Sequence, residues 1–313
     1  MAKKATPADS LIVKKYHPGQ YAALPRLSDY ARVMDSARVP GLRGFLVRAT
    51  WRALEPTQGN YDFSSILAPL RYCERYGLQL VVMLVDKTFA GAERPLPVYL
   101  ARLELPNRSG GYTAARWRPE YVSRFKALLR AFGALLDTHP NFEGVSTQET
   151  ALSLSDRTLD SLGYTPELYR DALIAGINSA NNSMPHTRVF WHMNFLAEKQ
   201  SYIGQIANAI APGGHLMGGP DWLPEGTVLQ RAVYPFYVTM KDRMRTFIDN
   251  QYNSYKHLHH KPSQTKYWTP AEMYDSARAQ IFVDYYFWAY LVRPHLVDSY
   301  CYLDAVPVIN RDA

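Results

Sequence analysis

A carboxylic acid paired with a carboxylate can hand a proton to a leaving group and take one from an attacking group. Acidic side chains at the ends of apolar runs are therefore the first residues to weigh. Glu149 closes the run FEGVSTQE, and Asp221 follows two glycines in GGPDW, where bare backbone can approach a bound molecule closely. These two are the expected catalytic residues. Asp249 sits inside the run TFIDNQY, where the role of a buried partner competes, and Asp86 and Asp304 compete with rim salt bridges. Glu272 stands three residues after Thr269 and is accounted for as half of a capping box.

Other chemistries find less support. His257, His259 and His260 lie in a Lys-rich loop with no carboxylate at ligand spacing, so no metal is expected. Cys73 and Cys301 match neither a CxxC nor a zinc spacing. The chain contains no GxGxxG, P-loop, GxSxG or HExxH motif, which argues against nucleotide, esterase and metalloprotease chemistry and leaves no cofactor to expect.

Positioning such residues takes a frame, and strands alternate with helices about eight times. The strand-like runs are LIVKKYH (11–17), GFLVRAT (44–50), LQLVVMLVD (78–86), FEGVSTQE (142–149), TRVFWHMN (187–194), HLMGG (215–219), TFIDNQY (246–252) and VDYYFWAY (283–290). Helical patterns lie between them. Pro119 opens one that carries Tyr121, Phe125, Leu128, Leu129 and Phe132 at helical spacing and ends near His139. Thr165 with Pro166 and Thr269 with Pro270 read as helix starts. Mostly apolar strands separated by helices require a parallel sheet covered on its outside, and eight units suggest a single (β/α)8 barrel, an α/β fold of the TIM type. A length of 313 residues with 47% hydrophobic content suits one such domain: a tail over 1–10 and the catalytic barrel over 11–313.

Chemistry in such barrels gathers where the strands end. The residues there are His17, Arg48 to Trp51, Asp86, Gln148, Glu149, His192, Asn194, Asp221, Gln251, Trp288 and Tyr290. The net charge of +7 is spread along the chain without a nucleic-acid module, so no nucleic-acid partner is expected, whereas an acidic polymer would suit the positive surface. No apolar stretch reaches the roughly 18 to 20 residues of a membrane span, and no apolar core follows the charged N-terminus as a leader would need. A soluble protein with no membrane partner is expected. Its compartment (cytoplasmic, virion-associated, or secreted after loss of a leader) and its oligomeric state stay open.

The segment from Val47 to Leu84, VRATWRALEPTQGNYDFSSILAPLRYCERYGLQLVVML, resembles the region from the second to the third strand of barrel glycoside hydrolases in the large cellulase and β-galactosidase clan. There a strand ending in Arg and Trp leads into EP..G.YDFS and a helix ending in GL. The turn itself reads as structural: Gly59 permits the bend, Asp62 or Ser64 caps the helix, and Phe63 packs. The resemblance implies an acid/base glutamate at the end of the fourth strand, matched by Glu149, here preceded by Gln148, whose amide would hold a sugar hydroxyl. It also implies a glutamate nucleophile ending strand seven, and TFIDNQYNSY has none.

The implied activity is cleavage of a glycosidic bond in an oligo- or polysaccharide, with Glu149 as acid/base and Asp221 as partner. A non-catalytic carbohydrate-binding barrel and a polysaccharide lyase are the alternatives. A pyranose offers an apolar face to a ring, which makes Trp51, Trp222, Tyr237 and Trp288 the expected platforms. His17, Arg48, Asp86, Gln148, His192, Asn194 and Gln251 complete the expected substrate contacts, with Arg48 alternatively in a buried ion pair.

Overall fold

The computed structural model describes residues 14–24, 27, 30, 39–196, 199–224, 228–250, 268–289 and 305–312. Eight parallel strands close into a barrel: β1 (Gly19–Ala23), β2 (Leu42–Thr50), β3 (Gln79–Val85), β4 (Phe142–Ser146), β5 (Arg188–His192), β6 (Leu216–Pro220), β7 (Arg245–Asn250) and β8 (Val283–Ala289). Each pairs with its sequence neighbours, and β8 closes on β1 with Gly19 opposite Tyr285. The expected barrel is confirmed. The tail over 1–10, Gln251, the histidines at 257, 259 and 260, Tyr290, Cys301 and Asp304 lie outside the described residues.

Alternation along each strand builds two separate cores. Tyr21, Leu46, Val81, Met83, Phe190, Phe247, Tyr285 and Phe287 point inward and fill the barrel. Their neighbours, such as Phe45, Val82, Trp191, Ile248, Tyr286 and Trp288, point outward against the helices. That outer layer includes α1 (Ser64–Tyr76), α2 (Pro119–Leu136), α3 (Pro166–Ser183), α4 (Tyr202–Ile210), α5 (Tyr234–Met240) and α6 (Pro270–Ile281).

Local signals explain the helix boundaries. Thr165 caps α3 through the backbone N–H of Leu168, and Thr269 with Glu272 forms the reciprocal capping box of α6. Gly77 ends α1 in the left-handed conformation, φ 65°, that glycine adopts without a Cβ penalty. The turn after β2 is organised by Glu55. Its buried carboxylate accepts from the Trp51 indole at 2.7 Å and the Gly59 N–H at 2.8 Å, and it is paired with Arg124 of α2. In that turn Phe63 is buried as expected; it also takes the cap position of α1, and Asp62 just before it accepts from the first helical N–H, that of Ser64, at 2.9 Å.

Strand one departs from expectation. Of the run 11–17, the described residues 14–17 are irregular, and GQYAA forms β1 instead. Strand preference measures fit to a half-buried surface, and here closure against β2 and β8 selects GQYAA over a run richer in β-branched residues. A short antiparallel hairpin, Glu104–Pro106 with Tyr112–Ala114, lies between β3 and α2 and has no counterpart among the expected strands.

Candidate active site

At the C-terminal mouth of the barrel, β4 stops at Ser146 and the chain continues through Thr147 and Gln148 to Glu149. Glu149 is held from two sides. Lys87, just past β3, donates from Nζ to Oε1 at 2.7 Å, and Asn194, just past β5, donates from Nδ2 to Oε2 at 2.7 Å. The Glu149 side chain keeps 14% of its surface exposed, whereas that of Lys87 keeps none. Lys87 also donates to the Ala151 carbonyl at 2.7 Å and to Ser153 Oγ at 3.1 Å, which satisfies all three ammonium protons. Burial pushes the Lys87 ammonium below its ordinary pKa, and the Glu149 carboxylate opposes that shift.

Beneath Glu149 lies a second ionic layer. Arg116 makes a bidentate pair with Asp86 at 2.6 and 2.7 Å and donates to the Glu149 carbonyl at 2.5 Å. Tyr121 donates to Asp86 at 2.5 Å; burial, and then the Asp86 charge, hold its phenol well above the usual value, so it stays a donor. Both oxygens of Asp86 are thereby taken. Gln148 also serves the frame, since Oε1 accepts from the backbone N–H of Asp86 at 3.0 Å and of Lys87 at 2.5 Å.

A further group faces inward at the top of the barrel. Asp249 of β7, with only 1% of its side chain exposed, lies 3.5 Å from Arg48 of β2 and 3.7 Å from Nε2 of His192 of β5. Nδ1 of His192 is 3.0 Å from Ser146 Oγ. Asp249 thus shares the inward parity of Phe247, while Asn250 turns outward to Tyr286 and the Trp222 N–H. Asp221 is half-buried at the rim with φ 64°, a conformation Asp tolerates better than most residues; its N–H donates to the Asp249 carbonyl at 2.9 Å.

The structure therefore brings Glu149, Asn194, Gln148 and Asp86 into one network, and Arg48 and His192 into another around Asp249. It does not bring the aromatic candidates to the mouth. Trp51 is buried against Tyr121 and Phe125, Trp222 bonds Ser276 of α6, Tyr237 bonds the Met193 carbonyl, and Trp288 bonds Gln20. All four are essentially without exposure and belong to the packed layer between barrel and helices: Trp288 faces outward from β8, Trp51 and Trp222 follow the ends of β2 and β6, and Tyr237 packs inward from α5. His17 is also displaced: it precedes β1 and bonds the buried Glu143 at the start of β4, at 2.7 Å, on the opposite end of the barrel.

Lys87, Arg116 and Ser146 join the site without having been expected there. Lys87 could have been found from VMLVDK, where a lysine directly follows a run that ends at the mouth. Arg116 carries no such signal, because the hairpin that delivers it is too short to show a pattern. Among the described residues no group of acidic, His or Cys side chains could hold a metal ion, and no helix is long and apolar enough to cross a membrane.

Several solved structures share this architecture. The catalytic domain of a β-amylase from Paenibacillus polymyxa aligns over 93% of this chain and 95% of its own, with a TM-score of 0.62 at 9% identity. A GH5_18 protein from Streptomyces cattleya, solved with GlcNAc, aligns over 95% and 80%, with a TM-score of 0.59 at 14% identity. A β-galactosidase from the psychrophilic Marinomonas ef1 has a TM-score of 0.61 at 11% identity; 93% of this chain is covered, but it spans only 59% of that enzyme. At such identities the likeness is one of fold. No family model and no curated protein matches the sequence.

Proposed function

We propose that the chain hydrolyses a glycosidic bond in an oligo- or polysaccharide, with Glu149 as the acid/base. The observation that carries this reading is the placement of Glu149: past the end of β4, partly open to the mouth, with each carboxylate oxygen fixed by one donor. A general acid works only if its proton meets the leaving oxygen at hydrogen-bond distance, and the double anchor from Lys87 and Asn194 removes the rotamer freedom that would blur that distance. The glycosidases among the fold relatives favour the same substrate class, by analogy of fold alone.

For the second carboxylate, Asp249 has more support than the expected Asp221. It lies on the inward face of β7, and Arg48 and His192 sit close enough to stabilise its charge. Asp221 stays the rim alternative, one backbone hydrogen bond away.

Two features favour a barrel that binds saccharide without cleaving it: Glu149 is engaged by an ammonium, and Asp249 is almost wholly buried. Incubation with a panel of neutral and uronate-bearing oligosaccharides, read by product mass, separates the readings. Products carrying the elements of water support hydrolysis. Saturable binding without products supports the binding-only barrel, and unsaturated products without added water indicate a lyase. The latter two outcomes overturn the proposal.

A further inference from the structure

The N-terminal end of the barrel carries a cavity of its own. It has a volume of about 460 Å³ and is lined by Arg188 at the start of β5, His215 before β6, Arg245 at the start of β7, and Lys241, Asp242 and Arg243 in the preceding loop. Four cationic side chains thus face one carboxylate. Asp242 is exposed and pairs with its neighbour Lys241 at 2.8 Å, and Asp284 lies 3.6 Å from Arg245. Arg188 and Arg243 have no carboxylate partner among the described residues: Arg188 donates to the carbonyls of Lys15 and Gly214, and Arg243 donates to Asn208 at 2.7 Å. Guanidinium groups fixed this way keep their charge and offer planar pairs of donors, the geometry that suits phosphate.

His215 supplies an independent pointer. It is fully buried, and burial holds its imidazole well below the ordinary pKa, so the ring is neutral. Its Nδ1 accepts the Val189 N–H at 3.1 Å, which leaves the proton on Nε2. That N–H has no acceptor among the described residues. A buried donor without a partner is destabilising, and an oxyanion seated among the surrounding side chains would supply the missing acceptor.

We infer that this floor cavity is an oxyanion site that binds a phosphate group, recognised by Arg188, Arg243, Arg245 and Lys241 with the His215 Nε2–H behind them. The cavity exceeds the volume of one phosphate and lies within the range of small-ligand pockets, so it has room for the organic part of a phosphate ester.

Titration of the full chain with inorganic phosphate and with a hexose phosphate, at ionic strength fixed by chloride, tests the site by calorimetry and by the side-chain NMR signal of His215. Saturable one-to-one binding is expected, with a shift of the His215 Nε2–H resonance. Tighter binding of the ester assigns the site to phosphorylated metabolites, and equal binding assigns it to free phosphate. The double variant R243E/R245E changes exposed side chains, should melt within a few degrees of the parent, and should lose about tenfold or more in affinity. His215→Phe should weaken binding less than the charge reversal. Binding that never saturates, or that survives the charge reversal, would overturn the inference.

Discussion

Lys87, fully buried, and Glu149, partly exposed, form an ion pair across the mouth of the barrel, with Nζ 2.7 Å from Oε1. One lysine ties the end of β3 to the loop after β4, because its other two protons go to Ala151 and Ser153 in that loop. Ser153 adopts φ 55°, a conformation that L side chains seldom hold unaided, and the Lys87 bond to its hydroxyl helps retain it.

Replacing Lys87 with Met leaves the Glu149 charge and the Ala151 carbonyl without their ammonium. A loss of about 3 to 5 kcal/mol is expected, the range for breaking a buried pair from one side. Urea unfolding at neutral pH measures it, and an unchanged midpoint would show that the pair does not stabilise the fold.

The buried tryptophans separate packing from recognition. Trp222→Ala should cost about 3 to 5 kcal/mol through the cavity it opens beneath α5 and α6, while the saccharide affinity of the folded fraction stays near that of the parent. A stable Trp222→Ala protein that no longer binds saccharide would restore Trp222 as a platform.

Asp249→Asn and Asp221→Asn test the second carboxylate. The substitution at Asp249 keeps the shape and removes the charge beside Arg48 and His192, so turnover should fall by about two orders of magnitude or more, with Asp221→Asn much closer to the parent. The reverse ranking in initial rates would return the role to Asp221.

Stability should climb with pH from about 8 to 10 on account of the barrel floor. Burial pushes the ammoniums of Lys14 and Lys15 down to about 8 from an ordinary 10.5. Across that window the unfolded chain binds more protons than the native one, which makes stability rise with pH. Above pH 10 the sign reverses for tyrosines such as Tyr16, whose phenol burial pushes up to about 12, because the native state then holds the extra proton. Melting temperatures from pH 7.5 to 9.5 should therefore rise more steeply in the parent than in Lys14→Met/Lys15→Met. Parallel curves would contradict the shifts.

Seven of the eight strands are legible in the sequence because each is a short run dominated by apolar residues, as burial on both faces of a barrel wall favours. GQYAA at β1 is not, since its strand identity comes from the neighbours that close the barrel. Polar residues at strand ends follow from the same rule that locates the mouth, which is why Glu149, Asn194 and His192 are visible. Aromatic roles are not: one residue of register turns Trp288 to the helices, while Trp51, Trp222 and Tyr237 lie in a helical turn, a loop and α5, where tertiary packing sets the direction of the ring. Arg116 and Lys87 act through partners 30 and 62 residues away, a pairing that no local pattern encodes.

The central claim is the role of Glu149, and the most direct test is the initial rate of Glu149→Gln on whichever saccharide of the panel the parent cleaves. The amide keeps the size of the side chain and an acceptor for Lys87 while removing the transferable proton. A fall in turnover of about a hundredfold or more, with saccharide affinity and melting temperature near the parent's, is the predicted result. Undiminished turnover in the correctly folded variant would contradict the assignment.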